Sequence, residues 1–216
     1  MALVWFCFQL NVIYEQLAQP GTGAAPSYVN PVFSDAVAAD DFTVPVGDHW
    51  SVRSIVIRGR HANDCRPKAF LTPARVRLYA DKHGLPGVLL KDAQDLQPGE
   101  FGSDVAITLP QSWSLNAGTY WLEVSLQSAG GCVWFWHTQS SQLGAPFALL
   151  NHGPWTPCGG QNCSNLNPDL NWDLSFALHD APLIISVPTL PGKMGLLLFV
   201  SLLGISAVVT QMRDKS

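Results

Sequence analysis

The sequence predicts an all-β fold: a single β-sandwich, jelly-roll-like, followed by one C-terminal transmembrane helix. Three observations carry this. Short runs rich in β-branched and aromatic residues alternate with Pro- and Gly-rich turns, and no long 3.6-residue periodicity appears between them. Several of those runs alternate apolar and polar residues with period two, the pattern of a half-buried strand. The chain then closes on Met194 to Met212, a stretch without charge. At about 1.5 Å per residue, a helix of that length covers roughly a bilayer core.

The expected strands follow in order: DDFTVPV, WSVRSIVIRGR, ARVRLYAD, DVAITLP, GTYWLEVSL, CVWFWHT, PFALLN and NWDLSFALHD. In TYWLEVSL, Tyr120, Leu122, Val124 and Leu126 share a face. In ARVRLYA, Val76 and Leu78 oppose Arg75, Arg77 and Tyr79. DKHGLPG and NAGT supply turn chemistry between strands. About eight short strands at this spacing suit a two-sheet sandwich.

The ends set the organisation. Residues 1–24 read as a degenerate or wrongly started signal peptide. MALVWFCFQL is apolar, no Lys or Arg precedes Arg53, and Thr22 and Ala24 fit a small-residue cleavage site. Residues 25–180 form the sandwich ectodomain. Residues 181–193, with Pro182, Pro188 and Pro191, form an extended stalk. Residues 194–212 span the membrane, and 213–216 form a tail whose Arg213 and Lys215 put it in the cytoplasm.

VPTLPGKMG, Val187 to Gly195, resembles the start of an IPTL-CTERM sorting signal, a bacterial C-terminal tag of short motif, membrane helix and basic end. Pro188, Thr189 and Leu190 match it, Val187 replaces Ile, and Gly195 matches the glycine that opens the helix. Met194 stands where that family has Trp. The resemblance implies an exported cell-envelope protein of a Gram-negative bacterium, processed by an exosortase-type membrane protease. ADDFTVPVGDHWSV, VRLYADKHGLPG, NAGTYWLEV and WDLSFAL also resemble a secreted bacterial β-sandwich module that precedes such signals. That likeness implies fold and location and assigns no activity.

Five cysteines fit export. Cys7 lies in the presumed signal. Cys158 and Cys163 enclose GGQN, a loop one disulfide would close, which leaves Cys65 and Cys132 as a second pair. Four cysteines allow three connectivities, and a zinc site is the rival reading, though zinc favours two close Cys/His pairs.

Chemistry is sparse. The chain has no Gly-x-Ser-x-Gly elbow, His-Glu-x-x-His helix, P-loop or dinucleotide fingerprint. No catalytic residue and no cofactor is assigned, and a structural or adhesive role is expected. A glycoside hydrolase would need two facing carboxylates, for which Asp104, Glu123 and Asp173 are available. Alternating Asn and Asp in NLNPDLNWD offers Asn167, Asp169 and Asp173 as structural calcium ligands, although an EF-hand's Gly and Glu are missing. Tryptophan is abundant, with eight in the chain. Trp113 and Trp155, in Pro- and Ser-rich surroundings, are candidates for stacking on polysaccharide, the mark of a carbohydrate-binding module. A net charge of −4 argues against nucleic acid. Basic residues gather between Arg53 and Lys91 and are absent from Asp92 to Gly192. A solvated sheet face explains Arg53, Arg58, Arg60, Arg75 and Arg77 better than a basic binding face does.

Overall fold

The computed structural model describes residues 12–17, 20–30, 35–62, 72–101, 104–128, 132–158, 163 and 173–183. These residues form thirteen strands and no α-helix, as the all-β expectation requires. They are β1 (Val12–Glu15), β2 (Pro20–Pro26), β3 (Tyr28–Val29), β4 (Ala36–Ile57), β5 (Gly59–His61), β6 (Ala74–Asp81) and β7 (Pro86–Leu96). Then come β8 (Gly99–Phe101), β9 (Asp104–Gln127), β10 (Trp134–Gln139), β11 (Ala148–Asn151), β12 (Thr156–Pro157) and β13 (Phe176–His179). By contacts the chain divides into residues 1–186 and residues 187–216, and every described strand belongs to the first unit. The helix expected over 194–212 and the motif Val187, Pro188, Thr189, Leu190 and Gly195 lie outside the described residues.

Two long strands organise the rest. β4 and β9, of 22 and 24 residues, pair antiparallel from Ala39 opposite Glu123 to Ile57 opposite Val105. DDFTVPV and WSVRSIVI are therefore one strand, and so are DVAITLP and GTYWLEVSL. The register shifts between Val44 and His49 and again between Val52 and Ser54. In the first irregularity Pro45, Val46, Gly47 and Asp48 are exposed, and Gly47 takes a φ of 92° that suits a residue without Cβ. The second shift changes which alternate residues of β4 face inward. On β4 the core residues are Ala38, Phe42, Val44 and Val52 before the second shift, and Ile55 and Ile57 after it.

Each half of the β4–β9 pair recruits different neighbours. The early part of β4 pairs with β11, which pairs with β12, while the late part of β9 pairs with β6 and through it with β7. The late part of β4 pairs with β13 and through it with β1; the early part of β9 pairs with β8. β3 pairs antiparallel with β4 and parallel with β9. A separate sheet has the order β2-β10-β5.

One core joins these parts. Phe42, on the early half of β4, meets Phe176 edge-on at 6.2 Å between centroids, and Phe176 sits opposite Ile57 on the late half. Trp136 of the small sheet meets Phe176 at 6.0 Å and donates its indole N–H to the Ser175 carbonyl at 2.9 Å. The side chains of the two halves thus converge on Phe176. Tyr14 of β1 packs on Phe42, Trp50 and Phe176.

The packed region is wider than residues 25–180. From Val12 on, part of the stretch read as a signal peptide is paired into the sheets: β1 with β13 and β2 with β10. Gln16 is buried and donates to Asp40 and to the Leu174 carbonyl. At the other end Leu183 is buried against Val56, Ala106 and Ala177, and its N–H donates to Ser54. A strand of mixed Gly, Pro and Ala such as PGTGAAP carries no local strand signal, so only its partner β10 reveals it.

Gly59 gives the small sheet a direct test. A Cβ there would overlap the Trp134 ring and the Phe135 carbonyl, whereas one at Gly153 would meet nothing within 4 Å. Gly59→Ala is expected to cost about 1–3 kcal/mol, the usual range for overpacking a core. Gly153→Ala should stay within about 0.5 kcal/mol. Urea unfolding curves of both variants check this, and equal midpoints would refute the close approach.

Candidate functional site

Alternation along β6 and β9 points Arg75, Arg77, Tyr79, Trp121, Glu123 and Ser125 away from the central core. On an open sheet these side chains would meet water. Here much of that face is covered. Ala145, Ala148 and Trp155, from the chain between β10 and β12, pack over Ala39, Tyr79 and Trp121. Trp121 is completely buried and donates its indole N–H to Asp81 at 2.9 Å. Trp155 is half-buried and stands edge-on to Tyr79 at 5.7 Å.

Glu123 lies at the centre of this face with none of its surface exposed. Tyr79 donates its hydroxyl to one carboxylate oxygen at 2.5 Å, and Arg75 donates Nη2 to the other at 3.0 Å. Burial, followed by the neighbouring Glu123 charge, pushes the Tyr79 hydroxyl well above its ordinary range. Tyr79 therefore stays a proton donor at any working pH. Arg75 also faces Asp35 at 3.8 Å. Arg77 pairs with Asp92 at 3.2 Å near the surface.

A second polar network lies across β4. Asp40 faces inward and is completely buried; Asp41 faces the covered outer side. Asp40 accepts from Gln16 at 2.7 Å and from the Leu174 N–H at 2.5 Å. Asp41 accepts the Ala145 N–H at 2.8 Å. A Cβ on Gly144 would come within 2.5 Å of that carboxylate, so the loop needs glycine there. Asp173 accepts the Leu143 N–H. Burial raises all three carboxyls, Asp41 and Asp173 to about 6 and Asp40 well above its ordinary value, and the charge on Asp173 adds to the rise in both others.

The structure distributes the expected site residues unevenly. Trp113 is 8% exposed and belongs to the core, which removes it as a stacking surface; it lies within β9, paired with Val52, where the sequence suggests a loop. Trp155 is half-buried. Asp173 joins Asp40 and Asp41, and the other calcium candidates, Asn167 and Asp169, lie outside the described residues. Among the described residues no group of three His, Cys, Asp or Glu is placed to hold a metal ion. Cys158 and Cys163 form a disulfide with Cα atoms 5.1 Å apart. Cys132 is also disulfide-bonded, and its expected partner Cys65 lies outside the described residues. The hydrolase candidates sit in separate networks: Asp104 binds Arg58 through both oxygens at 2.8 and 2.9 Å, Glu123 binds Tyr79 and Arg75, and Asp173 binds backbone.

One arrangement escaped the sequence reading. On the exposed face of the β4–β9 ribbon, the Ser114 hydroxyl lies 2.7 Å from His49 Nε2, and His49 Nδ1 lies 3.0 Å from Asn116 Oδ1. The order matches nucleophile, base and orienting group. Cross-strand pairing builds it, since His49 is opposite Asn116 and Ser51 opposite Ser114. All three groups are open to solvent.

No family model matches the chain, and no curated protein does.

The two ion pairs of β6 should respond very differently to mutation. Arg75→Met leaves Glu123 buried without its cation and is expected to cost about 3–5 kcal/mol. Arg77→Met breaks a pair near solvent and should cost about 1 kcal/mol or less. Thermal unfolding of the two variants tests this, and comparable losses would contradict the network.

The acidic cluster sets a sign for pH dependence. Asp41 and Asp173 carry raised values near 6 against 3.8 in the open. Their protonation favours the folded chain, so that contribution is complete below the ordinary value and lost as pH rises through about 6. Asp173→Asn removes one of these protons from the balance. Its melting temperature should therefore gain on that of the parent between about pH 4 and pH 8, and a constant difference would show that Asp173 ionises normally.

Proposed function

We propose that this chain is an exported cell-envelope protein of a Gram-negative bacterium. Its β-rich unit is a non-catalytic, structural or adhesive sandwich of jelly-roll type. The C-terminal segment sorts it, with the tail in the cytoplasm before any processing by an exosortase-type enzyme. The disulfide between Cys158 and Cys163 carries the reading, because such bonds persist in oxidising compartments outside the cytosol. The second bonded cysteine, Cys132, points the same way. The resemblance of VPTLPGKMG to a sorting motif, followed by an uncharged run, supplies the membrane part. Two strand halves converging on Phe176 suit a sandwich whose long strands cross from one layer to the other at bulges.

A structural role without catalysis fits the polar groups. Asp104, Glu123 and Asp173 are each held by donors from the fold instead of facing one another across a cleft. Arg58, Arg75 and Arg77 are each paired with a carboxylate, so they form no free basic face for nucleic acid. The second reading, binding of matrix or wall polysaccharide, rests on Trp155, which is only half-buried.

Topology and sorting are tested together in the living cell. A periplasm-active reporter fused before Val187 should be active, and the same reporter fused after Ser216 should not; the opposite pattern refutes export. Pro188→Ala with Thr189→Ala should leave the disulfides and folding intact while an uncleaved form collects in the inner membrane. Normal sorting of that variant would show that the motif resemblance is accidental. Reaction of Ser114 with a fluorophosphonate probe would replace the non-catalytic reading with a hydrolase.

A further inference from the structure

Thr22 and Ala24 suggest that a leader is removed after Ala24. The packing of the chain argues against a cut at that bond. Removing residues 1–24 would take away β1 and all of β2 except Ala25 and Pro26. β13 would lose its pairing with Val12, Tyr14 and Glu15. In the small sheet, ordered β2-β10-β5, β10 would keep β5 and a two-residue stub. Two paired strands by themselves are marginal in water, and a third strand is a large part of what makes such a sheet stable.

The same segment supplies partners to buried groups elsewhere. Gln16 is buried and donates Nε2 to Asp40 at 2.7 Å and to the Leu174 carbonyl at 2.6 Å, while its own N–H donates to the Phe176 carbonyl at 2.9 Å. Arg58, held on Asp104, donates Nη1 to the Leu17 carbonyl at 2.7 Å. Thr138 is completely buried and donates its hydroxyl to the Gly23 carbonyl at 3.0 Å. Tyr14 packs on Phe42, Trp50 and Phe176. A buried donor or acceptor that loses its partner costs its full desolvation, which exceeds the net worth of the bond.

Close packing also gives the small residues of PGTGAAP a second cause. A Cβ on Gly21 would come within 2.5 Å of the Thr138 hydroxyl oxygen and 3.1 Å of the Thr138 carbonyl oxygen. Gly23 is buried, and Ala25 is completely buried opposite Trp136 of β10. Small side chains are what let this strand lie against β10, so their presence is explained without a peptidase.

We infer that the chain is not cut after Ala24, and that its mature form keeps Val12 to Pro26 as a strap crossing from the large sheet to the small one. β1 pairs in the large sheet, β2 in the small sheet and β3 in the large sheet again. An export leader would have to end before Val12. The packing argument depends neither on export nor on the sorting motif.

Mass spectrometry tests the inference on the full-length chain recovered from the envelope fraction of a Gram-negative host. Digestion with a protease that cuts after Glu and Asp should yield the peptide Gln16–Asp35, with the bond between Ala24 and Ala25 intact. The peptide Ala25–Asp35 in its place overturns the inference. Gly21→Val gives a second readout on the same material. With β2 in the mature fold, this variant should melt about 3–10 °C below the parent, the effect of overpacking in a chain of this size. An unchanged melting temperature overturns the inference, because residue 21 would then lie outside the packed protein or be gone from it. Export is read separately by the reporter fused before Val187. A silent reporter together with the intact peptide and the lowered melting temperature supports retention of the strap and counts against export alone.

Discussion

The pairing of β4 with β9 is the constraint on which everything else depends. Together the two strands place Ala39 and Ile57 at opposite ends of one ladder. Every other described sheet neighbour of the large sheet attaches to one half of that ladder, directly or through an intermediate strand. Because the halves present different residue parities to the core, the irregularities at 44–49 and 52–54 are structural requirements. Without them Ile55 and Ile57 would face outward while Ser54 and Val56 faced in. Phe42 on the early half of β4 and Phe176, paired with the late half, meet in the shared core.

The outer face shows how the fold treats charge. Glu123, Asp41, Tyr79 and Trp121 occupy positions that a one-sided sheet would leave in water, and all four are buried, Tyr79 and Trp121 beneath Ala145, Ala148 and Trp155. Each is then matched by a specific donor or acceptor: Tyr79 and Arg75 for Glu123, Ala145 for Asp41, Asp81 for Trp121. Burying an ionised group unpaired would cost several kcal/mol, so this matching is a condition for the cover to close. The matching is not complete everywhere. The Arg75 Nε and the Ser125 hydroxyl are buried without a partner, as are one oxygen each of Asp40 and Asp173.

The candidate site was only partly legible. Asp173, Glu123 and Trp155 stand out in the sequence as polar or aromatic residues in suggestive places. The assignments based on spacing fared less well. NLNPDLNWD suggested ligands within one loop, but Asp173 lies with Asp40 and Asp41, more than 130 positions earlier in the chain. Trp113 reads as a loop residue beside Gln111 and Ser112, yet β9 runs through that point unbroken and buries the ring. The Ser114–His49–Asn116 chain depends on cross-strand register, which no spacing along one strand reveals.

What the sequence determined by itself was local: the β class, most strand positions and the faces of β6 and late β9. Period-two alternation is written residue by residue and survives any topology. The close spacing of Cys158 and Cys163 was local too, and the bond between them closes only a short loop. Tertiary structure decided the continuity of β4 and β9, the strands β1, β2, β3 and β7, and the location of every polar network. Gly- and Ala-rich PGTGAAP has no strand propensity of its own and becomes a strand by pairing with β10. The unalternating Val88, Leu89 and Leu90 lie exposed on β7 because pairing with β6, rather than burial, holds them there. Hydrogen bonds between distant strands fix those outcomes, and their partners are specified by the whole fold.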